Sequence, residues 1–451
     1  MKFEYVILLI GILAALGISS VVFPEGVGAI VIISLLCALV FPLILRNTND
    51  PAFITRLFFI GLLVRILFGV IIYLFDLSGF FGGDALTYDA RGSYIADYWH
   101  GISDYESSSI STWLSTSGPG WGMHYLVGAI YYVGGRNRLA AMSFCWVFGA
   151  AIGPTVYICA YHIYKNTRVS RFAGLMTAFF PAFVIWSSQL MKDGLIIFLL
   201  VFVMIAVYRL QESFNIQAIL VLVLGMFGIL SLRFYIFYML AIAAVGSFVV
   251  GLSNNPGAIF RRTAILIVLG FGLTYLGVLR SASVDFEKYG NLESVQRSRS
   301  DLAKSGESGF GEEIDVSTSD GALTAIPLGF AYLMFAPFPW QATNLRQAFA
   351  LPETLLWWAM FPMLISGIAY TVRHRLREAL PMLIFSLMLT LAYSIFQGNV
   401  GTAYRQRTQI QVFLFMFIAV GWVLRKESKE NKLIEAKGKG RIVHSPAEAN
   451  A

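Results

Sequence analysis

The chain has 451 residues, 57% of them hydrophobic and 13% charged, with a mean hydropathy of +0.70. Soluble domains carry roughly 25% charged residues, so this composition excludes an ordinary soluble enzyme of two or three domains. The formal net charge of +7 does not mark a nucleic-acid partner, because much of the excess lies in one stretch, Arg425 to Arg441, directly behind an apolar run.

Apolar runs long enough to cross a hydrocarbon core of about 30 Å recur along the sequence, and in lipid such runs must be helices that satisfy their own backbone. In chain order the expected spans are 5–23, 27–45, 53–75, 139–161, 172–191, 194–209, 216–231, 234–252, 263–279, 355–372, 379–396 and 408–424. The expectation is therefore an all-α, polytopic membrane protein of about twelve spans. The N-terminal run reads as an uncleaved first span, since its apolar stretch is long and its cleavage pattern weak.

Basic connectors near Arg46, at 165–168, at Arg261–Arg262, at 373–377 and in the tail all fall on one face when the N-terminus is inside. That face is read as cytoplasmic, which makes residues 425–451 a basic cytoplasmic tail behind a transmembrane domain of residues 1–424. Two hydrophilic stretches fall on the opposite face. One opens the outer loop 76–138, where 121–134 (WGMHYLVGAIYYVG) reads as an interfacial helix. The other opens the loop 280–354, where 323–340 reads as a semi-inserted helix and 280–322 as a mobile loop or small lid. The alternative, that 121–134 and 323–340 are a pair of true spans, would invert everything between them, against the basic connectors at 165–168 and Arg261–Arg262.

Cys37, Cys145 and Cys159 all lie in apolar runs, with no CxxC or Cys/His spacing. Neither a disulfide framework nor a zinc site is expected, and a divalent metal has no sequence support. No internal repeat is visible, which counts against a secondary transporter.

The most informative segment is FFGGDALTYDARGSYIADYWHG, residues 80–101. It follows the third span, so Asp84 and Asp89 fall at the outer membrane surface. Gly82 and Gly83 permit a tight turn, and Tyr88, Gly92, Ile95, Ala96 and Trp99 repeat at helical spacing. Asp is also a good N-cap, so both carboxylates have a purely structural alternative.

The order GGD-x3-YD-x-R at 82–91, Pro119-Gly120 with Tyr125, and Pro181 through Asp193 resembles the N-terminal half of the GT-C superfamily of polyprenyl-phosphate-sugar-dependent glycosyltransferases. The similarity is to the family 39-like branch of protein mannosyltransferases and the aminoarabinose transferase of lipid A, and it covers roughly residues 80–210. The middle element is degenerate, and Ala85 stands where the family often has Glu. The resemblance implies a GT-C-like fold and a bacterial inner-membrane enzyme whose site faces the periplasm. It implies transfer of a sugar from a polyprenyl-phosphate donor to a saccharide, lipid or protein acceptor, with Asp84 as general base and no nucleic-acid partner. Tyr88, Asp89, Arg91, His124, Lys192 and Asp193 are then expected around the substrates.

Cationic groups are needed where charge develops on the leaving phosphate. Arg405 and Arg407, in GNVGTAYRQR before the last span, are the leading candidates, and Arg233 is a second. Each has a plain alternative: interfacial arginines meet lipid headgroups, Lys192 and Asp193 suit a hairpin turn, and a lone His124 suits a structural role. Arg65, deep in the third span, is expected to serve function or an internal ion pair. Two rival functions remain: an O-antigen or exopolysaccharide polymerase- or ligase-like enzyme, and a flippase or transporter for lipid-linked sugars.

Overall fold

A computed structural model describes residues 23–102, 120–250, 291–304, 308–342 and 344–436, with positions 267 and 270 also assigned as helical. The expected spans 5–23 and 263–279, the pair Arg261–Arg262 and residues 437–451 lie outside that set. Among the described residues the elements are helices, with one isolated bridge between Gly309 and Asn399.

In chain order these are α1 (Glu25–Leu45), α2 (Pro51–Leu74), α3 (Ser78–Phe81), α4 (Asp84–Trp99), α5 (Gly122–Gly134), α6 (Arg138–Tyr164), α7 (Thr167–Phe179) and α8 (Pro181–Ser187). Then come α9 (Asp193–Glu212), α10 (Ile216–Leu232), α11 (Phe234–Val250), α12 (Leu292–Lys304), α13 (Ser319–Phe335), α14 (Leu345–His374), α15 (Leu376–Phe396) and α16 (Val400–Ala436). Among the described residues seven helices, α1, α2, α6, α9, α14, α15 and α16, are long and apolar enough to cross a membrane. The bent pair α7–α8, broken by 52° before Pro181, makes an eighth if counted as one span. This is the architecture of a polytopic membrane protein.

Proline explains the α7–α8 break, because it removes a donor and holds the preceding residue, Phe180, in the extended region (ψ 129°). The expected single span 172–191 is therefore a helix, a bend, a seven-residue helix and a non-helical stretch from 188 to 192. Irregular backbone at membrane depth is tolerated only where protein or water satisfies it.

Burial separates the apolar helices by role. Only 17% of the most apolar window of α1 is buried, against 89% in α6 and in α16. Leu35, Leu39 and Leu43 of α1 and Leu63, Leu67 and Ile71 of α2 stand exposed in rows. Apolar surface repeated at helical spacing on this scale is suited to lipid rather than water.

Contacts divide the chain into two units, Met1–Thr155 with Ala178–Phe198, and Val156–Thr177 with Leu199–Ala451. In the first, α1 packs on α2, α8 packs on α2, and α4 packs on α5. The ends of α1, α2 and α6 are tied together. Tyr73 donates to Glu25 at 2.6 Å, Asn137 donates to the Glu25 carbonyl at 2.8 Å, and Arg138 pairs with Asp76 at 3.0 Å.

In the second unit α14 packs on α16, while α15 receives both α11 and α13. Part of the stretch read as a mobile loop is packed there. Arg299 of α12, 1% exposed, donates to the carbonyls of Ile395, Gln397 and Gly311. Phe310 N–H bonds Gly398 O at 2.8 Å and Val400 N–H bonds Ser308 O at 2.9 Å. Serine- and glycine-rich composition concealed this because the segment is anchored by one buried arginine and a few scattered apolar residues, Val295, Phe310, Ile314 and Val316, rather than by a long apolar run.

Candidate functional site

The first unit gathers most of the sequence-expected residues on α4, α5 and the 188–192 stretch. Gly82, with φ 148°, turns the chain in a region that side chains disfavour, and Gly83 is the N-cap of α4. Asp84 is the first residue of the helix and is exposed; no side-chain hydrogen bond caps the helix. Its charge suits the positive end of the helix dipole.

Helix α4 buries Ala85, Tyr88, Asp89, Gly92, Ile95 and Ala96 against α5. The two helices meet at backbone distance. A Cβ on Gly92 would stand 2.4 Å from Val127 Cγ1, and one on Gly128 would stand 2.6 Å from Ile95 Cγ2. Glycine at both positions permits the close crossing. Trp99, expected on the same face, is 40% exposed and sets its ring edge-on to Tyr132 at 5.8 Å.

Asp89 is turned away from Asp84 and clamps this pair of helices. Tyr131 Oη donates to it at 2.6 Å, and Arg136 Nη2 does so at 2.7 Å, just beyond Gly135 with its φ of 74°. Burial acts to raise the Asp89 pKa, but the hydrogen bonds from Arg136 and Tyr131 outweigh it and hold the carboxyl below its ordinary value. Burial and then Asp89 push the Tyr131 phenol up. Sequence reading placed Asp89 near substrate and passed over Tyr131 and Arg136. The aromatic run at 131–132 followed by Gly-Gly-Arg is the signal that marks them.

His124 is the centre of a second constellation. It is 7% exposed and lies against the buried Tyr88, ring centroids 4.9 Å apart. Burial, with the charges of Arg91 and Lys192 adding to it and Asp84 opposing, pushes the imidazole pKa down to about 3. His124 is therefore neutral near pH 7. Asp84, Arg91 and Lys192 are all close enough for their charges to act on one imidazole, so three segments that lie apart in sequence converge. Asp193 opens α9 at 0% exposure, one residue beyond Lys192.

The remaining candidates belong to the second unit. Arg233, 8% exposed, sits between α10 and α11, donates to Tyr393 Oη at 3.3 Å and lies over the Tyr235 ring. GNVGTAYRQR is not a connector before the last span: α16 begins at Val400 and carries both arginines. Arg407 is fully buried and donates through Nη1 to the carbonyls of Met334 and Ala336 at 3.1 and 3.0 Å, between the rings of Trp357 and Tyr404. Arg405 is half-buried. An exposed arginine pair is therefore not what this segment presents, because the end of α13 takes Arg407 as its donor.

Among the described residues no group of three His, Cys, Asp or Glu side chains is placed to hold a metal ion. What the first unit offers is an exposed carboxylate, two cations and a neutral imidazole at one end of membrane-length helices. Comparison with protein families, curated proteins and solved structures returned no match to this chain.

Proposed function

We propose that the chain is a membrane glycosyltransferase moving a sugar from a polyprenyl-phosphate donor to an extracytoplasmic acceptor in cell-envelope polysaccharide or glycoconjugate synthesis. The observation that carries this reading is the convergence of Asp84, Arg91 and Lys192 on His124. It joins the sequence resemblance to GT-C enzymes, which supports a bacterial inner membrane and a periplasmic site, and the hydropathy and charge pattern, which supports about twelve spans and a cytoplasmic C-terminus.

The chemistry assigns each group a role. Asp84 takes the proton of the acceptor hydroxyl as its oxygen attacks the anomeric carbon. The bond from that carbon to the phosphate oxygen breaks, its electron pair stays on the phosphate, and Arg91 and Lys192 stabilise the charge that develops. His124, neutral, exchanges hydrogen bonds with sugar or acceptor hydroxyls without drawing the phosphate to itself. Tyr88 supports the imidazole from below.

The test is transfer of labelled sugar from a polyprenyl-phosphate donor by the full chain in liposomes. Asp84→Asn is expected to lower kcat by about 10²–10⁴-fold, the range for a general base. A well-folded Asp84→Asn protein working at the wild-type rate would refute the assignment. The enclosure of Arg407 removes it as a phosphate partner in this reading and equally in the polymerase- or ligase-like alternative, which leans on exposed basic groups near 405–407. Net movement of lipid-linked sugar without transfer would favour the flippase reading.

A further inference from the structure

Arg65 is fully buried in the middle of α2, where an isolated charge would be costly, and it makes three directed bonds. Nε donates to Ser187 Oγ at 2.7 Å, and Nη1 donates to Gly61 O at 2.9 Å and to Ala178 O at 3.1 Å. Ala178 lies in the last turn of α7 and Ser187 is the last residue of α8. The guanidinium thus fastens the bend between α7 and α8 and the terminus of α8 to α2, and Ser187 passes the link on by donating to Phe183 O.

The next residues are held by Trp146, whose indole donates to Ser188 O at 2.8 Å. Glycines let these groups approach. A Cβ on Gly149 would stand 2.5 Å from Ser187 and 2.7 Å from Arg65 Nε, and one on Gly194 would stand 2.8 Å from Ser187 Cβ. On Gly69 it would stand 2.4 Å from the Trp146 ring. The node therefore holds Ser187 and Ser188 and packs Gly194 against Ser187, and Lys192 is carried on the non-helical part of the segment between them.

We propose that Arg65 is a positioning residue: by locking the α8 terminus it sets where the 188–192 stretch presents Lys192 to the site on α4 and α5. It touches neither substrate. Its effect on rate rests on the glycosyl-transfer reading; its effect on the placement of Lys192 does not. Arg65 from α2 and Trp146 from α6 bond the adjacent residues Ser187 and Ser188, where the chain leaves α8 for the 188–192 stretch.

Two readouts separate these consequences. In the solubilised full chain, Lys192→Cys supplies a reporter thiol, and the chain without it gives the background from Cys37, the most accessible native cysteine among the described residues. Adding Arg65→Met is expected to change the maleimide-labelling rate at 192 by about tenfold, with Arg65→Lys between it and the parent. In Lys192 protein, Arg65→Met is expected to lower kcat by roughly 10–100-fold with donor KM within about twofold, since a misplacement near 1 Å costs that much. An unchanged labelling rate in folded Arg65→Met overturns the proposal. If Arg65→Met does not fold, Ser187→Ala decides, with a labelling change of about threefold expected and none refuting it. A wild-type chain that transfers no sugar while labelling still responds to Arg65 defeats the function and leaves the positioning role supported.

Discussion

Arg407 and Arg136 carry the same guanidinium, yet the first is fully enclosed against the carbonyls that end α13, while the second leaves 58% of its side chain exposed as it holds Asp89. The contrast extends to their neighbourhoods. In the second unit Arg299 closes the end of α15 much as Arg407 closes that of α13. In the first unit the charges of α4 and the 188–192 stretch gather around one imidazole instead. A helix ending among apolar side chains has terminal carbonyls that water cannot reach, and an arginine with five donors can serve several at once. Where a helix end meets water, the solvent does that work and no buried arginine is required.

The largest departure between the two regions is expected from pairing Asp84→Asn with Arg407→Met. Asp84→Asn should lose turnover and keep its melting temperature in detergent. Arg407→Met takes the donor from the Ala336 carbonyl, while Met334 O keeps the Trp357 indole at 2.8 Å, and a buried orphan costs about 1–3 kcal/mol. Its expected outcome is a lower melting temperature and folded yield, with per-molecule turnover in the surviving fraction little changed. A folded Arg407→Met protein that has instead lost turnover would place Arg407 with the substrate.

This division also explains what was legible in sequence. Apolar runs of sufficient length marked α1, α2, α6, α9 and α15 within a few residues, because hydrophobic length is a local property, whereas the more polar first ten residues of α14 fell outside the expected span 355–372. Asp84 stood out from its local surroundings, and Arg91, His124 and Lys192 were expected beside it on the resemblance, but their convergence depends on the Gly92–Gly128 crossing and the α7–α8 bend, which periodicity does not encode. Arg299 and Arg407 were misjudged for one shared reason. A basic residue beside serine and glycine reads as solvent-facing, and only the fold reveals a helix end waiting for a donor.

A smaller effect concerns pH. His124 is held at about 3 in the folded chain against an ordinary 6.5, so the unfolded chain binds a proton there first as pH falls. Its contribution is fully present above about 6.5 and is lost progressively as pH drops toward 3. Melting temperature followed across that window should decline in the wild type and less steeply in His124→Gln. Lys192→Met removes one charge that depresses the imidazole, so its decline should be shallower than wild type. Asp84→Asn removes the opposing charge and should make the decline steeper. Identical slopes in all four proteins would mean that these charges do not converge on His124.

The smallest effect completes the series of arginines. Arg168 meets Glu430 at 3.0 Å, with their side chains 55% and 40% exposed. Solvent screens such a pair, and its worth is about 0–1 kcal/mol. Arg168→Met should therefore move the melting temperature little, and high salt should erase even that difference. Asp89→Asn is expected to cost more, although Arg136 is as exposed as Arg168, because Asp89 itself is 11% exposed and also receives Tyr131. The ordering Arg407→Met, Asp89→Asn, Arg168→Met thus follows the burial of the acceptor each partner serves, not the number of charges. An Arg168→Met loss as large as that of Asp89→Asn would break that rule, and with it the physical distinction drawn between the two regions.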